Sequence, residues 1–119
     1  MNQDNSYNIE FLSDEAKIAK ILLKKQVLGG NDALEFNLAI QKCKEQNVSA
    51  IIADLCEVEV INSTGLGMLV GTMSTLRNSD ISFALVNVPE KVKYLLEVTH
   101  LHKVLRIFNN IEEAISTVK

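Results

Sequence analysis

The 119-residue chain has no tryptophan, one proline, two cysteines, two histidines and five glycines. Cys43 and Cys56 lack Cys-x-x-Cys spacing and any further ligand cluster. They read as small buried apolar residues of a reduced, cytoplasmic protein. His100 and His102 stand two apart without a carboxylate or cysteine partner pattern, which suits surface or helix-capping histidines better than a base or a metal ligand. Positive charge is also in short supply. Twelve Lys and Arg against fifteen Asp and Glu leave a net charge of −3, and a pI near 5.3 argues against a nucleic-acid partner. Long apolar runs are missing too. The longest uncharged stretch, Val60 to Leu76, is interrupted by Asn62, Ser63, Thr64, Thr72, Ser74 and Thr75. It falls short of the roughly 20 apolar residues that a spanning helix needs, so direct membrane insertion is not expected. The polar start, Met1 to Ser6, lacks the basic-then-apolar layout of a signal peptide.

Motifs for enzyme chemistry are equally scarce. There is no G-x-x-x-x-G-K-[ST] phosphate loop. Gly65-x-Gly67 begins like a dinucleotide fingerprint, but the third glycine's place holds Val70. A G-x-S-x-G elbow would need glycine where Ile61 stands before Ser63. Glu57 and Glu59 share one side of an extended segment with no cleft-forming motif beside them, as a solvated strand end does. Neither catalysis nor a cofactor or metal is expected of this chain.

What is present is ordinary globular material, 47% hydrophobic and 23% charged, of a size that buries roughly two thirds of its unfolded surface. Residues 1–6 read as a flexible tail. Tyr7, Ile9 and Phe11 alternate with polar residues as in a half-buried strand. Ser13-Asp14-Glu15 reads as a turn, and Ala16 to Leu28 as a second strand closing an antiparallel hairpin, with Lys24-Lys25 a solvated rim. Gly29-Gly30 breaks it, and Asn31 or Asp32 caps a helix from Leu34 to about Gln46. That helix buries Phe36, Ala39, Ile40 and Cys43 and is closed by Asn47. Val48 to Leu55 is nearly continuous apolar sequence, as for a central strand covered on both faces. A helix from Gly65 to Leu76 follows, then a turn over residues 77–80 and a strand from Ile81 to Asn87. Pro89 opens a third helix burying Val92, Leu95 and Leu96. A strand from Val104 to Phe108 precedes a last helix, Ile111 to Val118, capped by Asn109 or Asn110. Alternating strands and helices imply a mainly parallel sheet.

The informative stretch is Val60-Ile61-Asn62-Ser63-Thr64-Gly65-Leu66-Gly67. Two hydroxyls at a strand-to-helix junction sit where backbone N–H groups are free and an anion is welcome. The plain reading is that Ser63 or Thr64 caps the helix while the glycines allow close packing. Yet Leu66 or Gly67 occupies the place where a capping box carries Glu or Gln. Opposite the Leu66, Leu69, Val70 and Met73 stripe, Met68, Gly71, Thr72 and Thr75 form an uncharged face that is easily desolvated, as a docking face is. A phosphoryl group on Ser63 would bring about −1.5 to −2 charges to that face. It would be tolerated at the helix N-terminus but would obstruct a partner fitted to the neutral form.

Asn62-Ser63-Thr64-Gly65-Leu66-Gly67 resembles the Asp-Ser-Ser/Thr-Gly-Leu-Gly signature of STAS domains, in particular bacterial anti-sigma factor antagonists. Ile51-Ile52-Ala53-Asp54-Leu55, Ala84-Leu85-Val86-Asn87-Val88, Leu95-Leu96-Glu97-Val98-Thr99 and Glu112-Glu113-Ala114 are similar to further segments of that family. Asn62 replaces the family's Asp. The Gly-x-Leu-Asp that usually opens the first helix is Gly29-Gly30-Asn31-Asp32. The resemblance implies an α/β fold, a single STAS-like domain over 7–119. Its sheet would be mainly parallel and four- to five-stranded, with an antiparallel N-terminal edge strand and about four helices.

It also implies partner switching. The unmodified antagonist binds an anti-sigma factor that is a serine kinase, phosphorylation of Ser63 (second choice Thr64) releases it, and a serine phosphatase resets it. ATP and Mg²⁺ belong to the partner in that scheme. The partner-binding residues would be Asn31, Asp32, Asn62, Thr64, Gly65, Leu66, Met68, Gly71, Thr72 and Thr75, and the same face could support a weak homodimer. The alternative is a constitutive STAS subunit of a transporter or lipid-trafficking complex, docking through the same helix without phosphorylation. A small nucleotide-binding or hydrolytic enzyme is the remaining reading.

Overall fold

The computed structural model describes residues 7–13 and 17–118. The expected tail over 1–6 and the turn at 13–15 lie outside the described residues, apart from the backbone of Ser13. In chain order the elements are β1 (Asn8–Ser13), β2 (Ile18–Leu22), β3 (Gln26–Val27), α1 (Asn31–Glu45), β4 (Ala50–Asp54) and β5 (Val60–Ile61). Then come α2 (Ser63–Asn78), β6 (Ser82–Val86), α3 (Glu90–Val98), a 3-10 turn at Leu101–Lys103, β7 (Arg106–Phe108) and α4 (Ile111–Val118).

Five of the strands form one sheet in the order β1-β2-β4-β6-β7. β2, β4, β6 and β7 run parallel, and β1 closes one edge antiparallel to β2. The fold is the α/β arrangement that the alternating pattern implies. β4 is buried at every position, because helices cover both faces of the sheet. Ala19, Ile21, Ile51, Ala53, Phe83 and Leu85 point into a core shared with α1, α2 and α3. Ile18, Ala50, Ile52, Ala84 and Val86 point the other way, onto Ala114 of α4 with Ile111 and Ile115 beside it.

Several local expectations are corrected. The expected strand over 16–28 is two elements. β2 ends at Leu22, and β3 leaves the main sheet to pair in parallel with β5, Gln26 opposite Val60 and Val27 opposite Ile61. Lys24 is no simple solvated rim: its Nζ lies 2.9 Å from Glu35 and 4.6 Å from the centre of the Tyr7 ring. α1 is preceded by Gly30, with no side-chain cap. Asp32 instead accepts a hydrogen bond from the Leu28 N–H through Oδ2. Residues 77 and 78 belong to α2, whose C-cap is Ser79 and whose next residue is Asp80. That residue adopts a φ of 58°, while the Ile81 N–H reaches back to the Leu76 carbonyl in a Schellman arrangement. Phe11 is half-exposed and Cys56 is exposed. Val70 and Leu95 are only partly buried against the core.

Other local signals hold. Asn47 closes α1 with a φ of 58°. Asn110 caps α4, its Oδ1 accepting from the Glu113 N–H at 2.9 Å. Glu113 Oε1 accepts the Asn109 N–H in turn, a reciprocal capping arrangement.

Candidate functional site

The Val60-to-Gly67 junction is built by the small ladder that the sequence conceals. Lys25 O accepts the amides of Glu59 and Val60, and Val27 O accepts that of Asn62. The chain then enters α2 with Asn62 as its N-cap in extended conformation, φ −115° and ψ −177°. Asn62 Oδ1 accepts the Gly65 N–H at 2.8 Å, and its carbonyl accepts the Leu66 N–H. The expectation that Ser63 or Thr64 caps the helix is therefore corrected. Capping falls to Asn62, and both hydroxyl residues are left exposed in the first turn.

That exposure sits in a favourable field. The first turn of α2 carries no acidic side chain, and its leading amides lack intrahelical partners. A negative group on Ser63 would meet the positive end of a 16-residue helix, an interaction of about 0.3–1 kcal/mol at an exposed site. An asparagine cap supplies the hydrogen bond of an aspartate cap without adding a charge beside the serine.

Two glycines fix where this turn lies. A side chain at Gly65 would collide with the carbonyl of Val27, and one at Gly29 (φ 85°) with the Thr64 methyl. The loop leading into α1 therefore lies directly on the start of α2, which brings Asn31 and Asp32 to the same corner as Ser63 and Thr64. Asp32 spends its amide on the Gly29 carbonyl and its carboxylate on Leu28, so it holds this loop in place.

The other six expected partner-binding residues fall into two groups. Gly65 and Leu66 are buried; they seat the turn from beneath. Met68, Gly71, Thr72 and Thr75 line a groove of about 280 Å³ between α1 and α2, whose other wall is Ala33, Phe36, Asn37 and Ile40. Thr72 donates its hydroxyl to the Met68 carbonyl at 2.9 Å, so it presents mainly its methyl to the groove. The α1 wall was not foreseen, nor were Leu34 and Leu38, which stand 60% and 57% exposed on the same helix. Their signal was a leucine pair four residues apart, outside the buried stripe of α1.

The remaining chemistry-bearing residues lie elsewhere. Asp54, at the end of β4, is buried. It accepts hydrogen bonds from the Cys56 N–H and from Asn87 Nδ2, and Lys20 Nζ lies 3.8 Å from Oδ2. His100 ends α3 in a left-handed conformation, φ 62°, and the His102 ring lies near the Leu96 carbonyl. Glu57 and Glu59 are exposed. No helix among the described residues is long and apolar enough to cross a membrane.

The family model of the STAS domain matches residues 15–114. The chain belongs to the STAS domain family. A Thermotoga maritima protein provisionally named an anti-sigma factor antagonist is 37% identical over 65 residues, which are 55% of this chain and 58% of that protein. The anti-sigma-B factor antagonist of Listeria monocytogenes is 35% identical over 72 residues, 60% of this chain and 61% of its own. The matched part thus spans about three fifths of each relative's length. Among solved structures, the anti-sigma factor antagonist SpoIIAA in its unphosphorylated form superposes with a TM-score of 0.75 at 20% identity. That match covers 95% of this chain and 96% of SpoIIAA, a likeness of fold.

Proposed function

We propose that this protein is an anti-sigma factor antagonist that works by partner switching. In the unmodified state the uncharged corner formed by Ser63, Thr64, Met68, Gly71, Thr72 and Thr75, with Asn31 and Asp32 beside it, binds an anti-sigma factor that is also a serine kinase. Phosphorylation of Ser63 releases that partner, and a serine phosphatase restores the binding form.

The observation that carries the reading is Ser63 itself. It is exposed in a helical first turn without acidic side chains, and it is spared from capping by Asn62. A dianion placed there is accommodated by its own helix yet brings charge to the start of the helix whose later turns line the α1–α2 groove. There it desolvates poorly and opposes any acidic or apolar surface fitted to the neutral face. The names of the curated relatives point the same way.

Intact-mass and fragment analysis of the protein purified from its own cells, across growth and stress, is expected to find phosphate on Ser63 and none in a Ser63→Ala strain. Phosphate at neither Ser63 nor Thr64 under any condition overturns the cycle. A Ser63→Ala protein that retains normal physiology would instead support the constitutive module.

A further inference from the structure

Of the twelve cationic side chains only Arg77 and Arg106 are arginines, and both line the same cleft. It is a surface hollow of about 370 Å³ whose other walls are Met73, Asp80, Ile81, Ser82 and Phe83. Its size lies at the lower end of the range for small-molecule sites. Arg77 stands in the last turn of α2, and Arg106 opens β7, opposite Ala84 of β6. Asp80, Ile81 and Ser82 belong to the link from α2 into β6. The Ile81 N–H holds that link to the Leu76 carbonyl, and the Asp80 N–H holds it to the Arg77 carbonyl. The cleft is remote from the Ser63 corner: residues 63 to 77 span about 21 Å at a helical rise of about 1.5 Å per residue.

The chemistry of these walls defines what they can hold. An arginine head offers five N–H donors in a rigid fork that matches the oxygens of a phosphate, unlike the point charge of a lysine. Arg77, Asp80 and Arg106 are all exposed, so a solute can reach them. Arg77 by itself complements the carbonyl end of its own helix; Arg106 starts a strand, where no helix end calls for a cation. The Arg106 guanidinium lies 5.7 Å from the centre of the Phe108 ring, and an arginine stacked on a ring keeps its in-plane N–H donors for an oxyanion. Two positive charges stand against one negative, so a phosphate dianion balances the arginines. Asp80 repels a phosphate placed directly on it and accepts a hydroxyl instead. The half-buried Ser82 hydroxyl can donate or accept. The walls therefore suit a ligand with a phosphate at one end and hydroxyls at the other.

We propose that the Arg77–Arg106 cleft binds a small soluble phosphate monoester that also carries hydroxyl groups, a polyol or sugar phosphate, with its phosphate on the two arginines and a hydroxyl on Asp80.

Amide chemical shifts of the full-length protein, titrated with glycerol 3-phosphate at low salt, are expected to saturate with a Kd of about millimolar, the strength expected of so small a ligand. The amides that move should lie within 77–83 and around 106, while those of 62–67 at the other end of α2 stay still. Arg77→Gln and Arg106→Gln should each weaken binding by about tenfold, the order of a charge-assisted hydrogen bond. Glycerol should not bind, and methyl phosphate should bind about threefold more weakly, the loss of one exposed hydrogen bond. Asp80→Gly, which suits the φ of 58° at that position, should erase this preference. Non-saturating shifts, unchanged affinity in either arginine variant, or a preference that survives Asp80→Gly each overturns the assignment. Co-flotation with vesicles containing phosphatidic acid, not expected of a chain with net charge −3, would place the phosphate on a lipid and overturn the soluble ligand.

Discussion

Cys43 and Cys56 carry the same thiol into opposite surroundings. Cys43 is fully buried in the inner stripe of α1, and burial pushes its pKa up to about 11. Cys56 is exposed. Its thiol is also raised, first by partial desolvation and then by a hydrogen bond to Asp54 and the charge of that carboxylate. The thiolate is the reactive form. Ellman's reagent on the native protein at pH 8 should therefore modify one thiol, more slowly than free cysteine. Cys43 should lag by about a hundredfold until denaturant is added, a delay set by its smaller thiolate fraction and its burial. Two equally fast native thiols would contradict the packing of α1. A sequence pattern places Cys43 by its spacing from Phe36 and Ile40. It has no equivalent handle on Cys56, which follows a buried strand and looks as apolar as its neighbours.

At the scale of elements, the strongly patterned segments were legible and the shortest were not. β4, the inner face of α2 and the caps of α4 follow from a nearly continuous apolar run, a helical stripe and an Asn-Asn-x-x-Glu signature. β3 and β5 are two residues each, too short for a period of two to register. They exist because tertiary contacts fix them. The cap of α2 was misplaced for a related reason: Asn62, Ser63 and Thr64 all have capping side chains, and only the turn's geometry decides among them. The glycines of α2 test this account. Gly65→Ala would drive a methyl into the Val27 carbonyl, whereas Gly67 faces open space. Thermal or urea unfolding should show Gly65→Ala losing about 1–3 kcal/mol, as overpacking does. Gly67→Ala should gain about 0.5–1 kcal/mol from helix propensity alone. Equal effects would mean that the ladder does not hold the turn.

For the molecule as a whole, stability should report on Tyr7 at high pH. Burial first, then the carboxylates of Asp32 and Glu35, raise its folded pKa to about 12 from the ordinary 10.0. Below pH 10 the phenol is neutral in both folded and unfolded chains, and its contribution is fully present. Between about pH 10 and 12 the unfolded chain ionises first, so stability is lost as pH rises. Chemical denaturation across that window should show a steeper decline for the native sequence than for Tyr7→Phe; coincident curves would place the hydroxyl in water. The α/β class was readable because helix and strand alternate along the whole chain. The division of labour between the faces, three helices over one and α4 alone over the other, was not, since crossovers leave no mark on composition. The β3–β5 pairing has a mechanical consequence at this scale. It fastens the starts of α1 and α2 through a few backbone hydrogen bonds that the five-stranded sheet does not share. A corner held by so few ladder bonds is expected to open locally at a lower free-energy cost than the five-stranded sheet does.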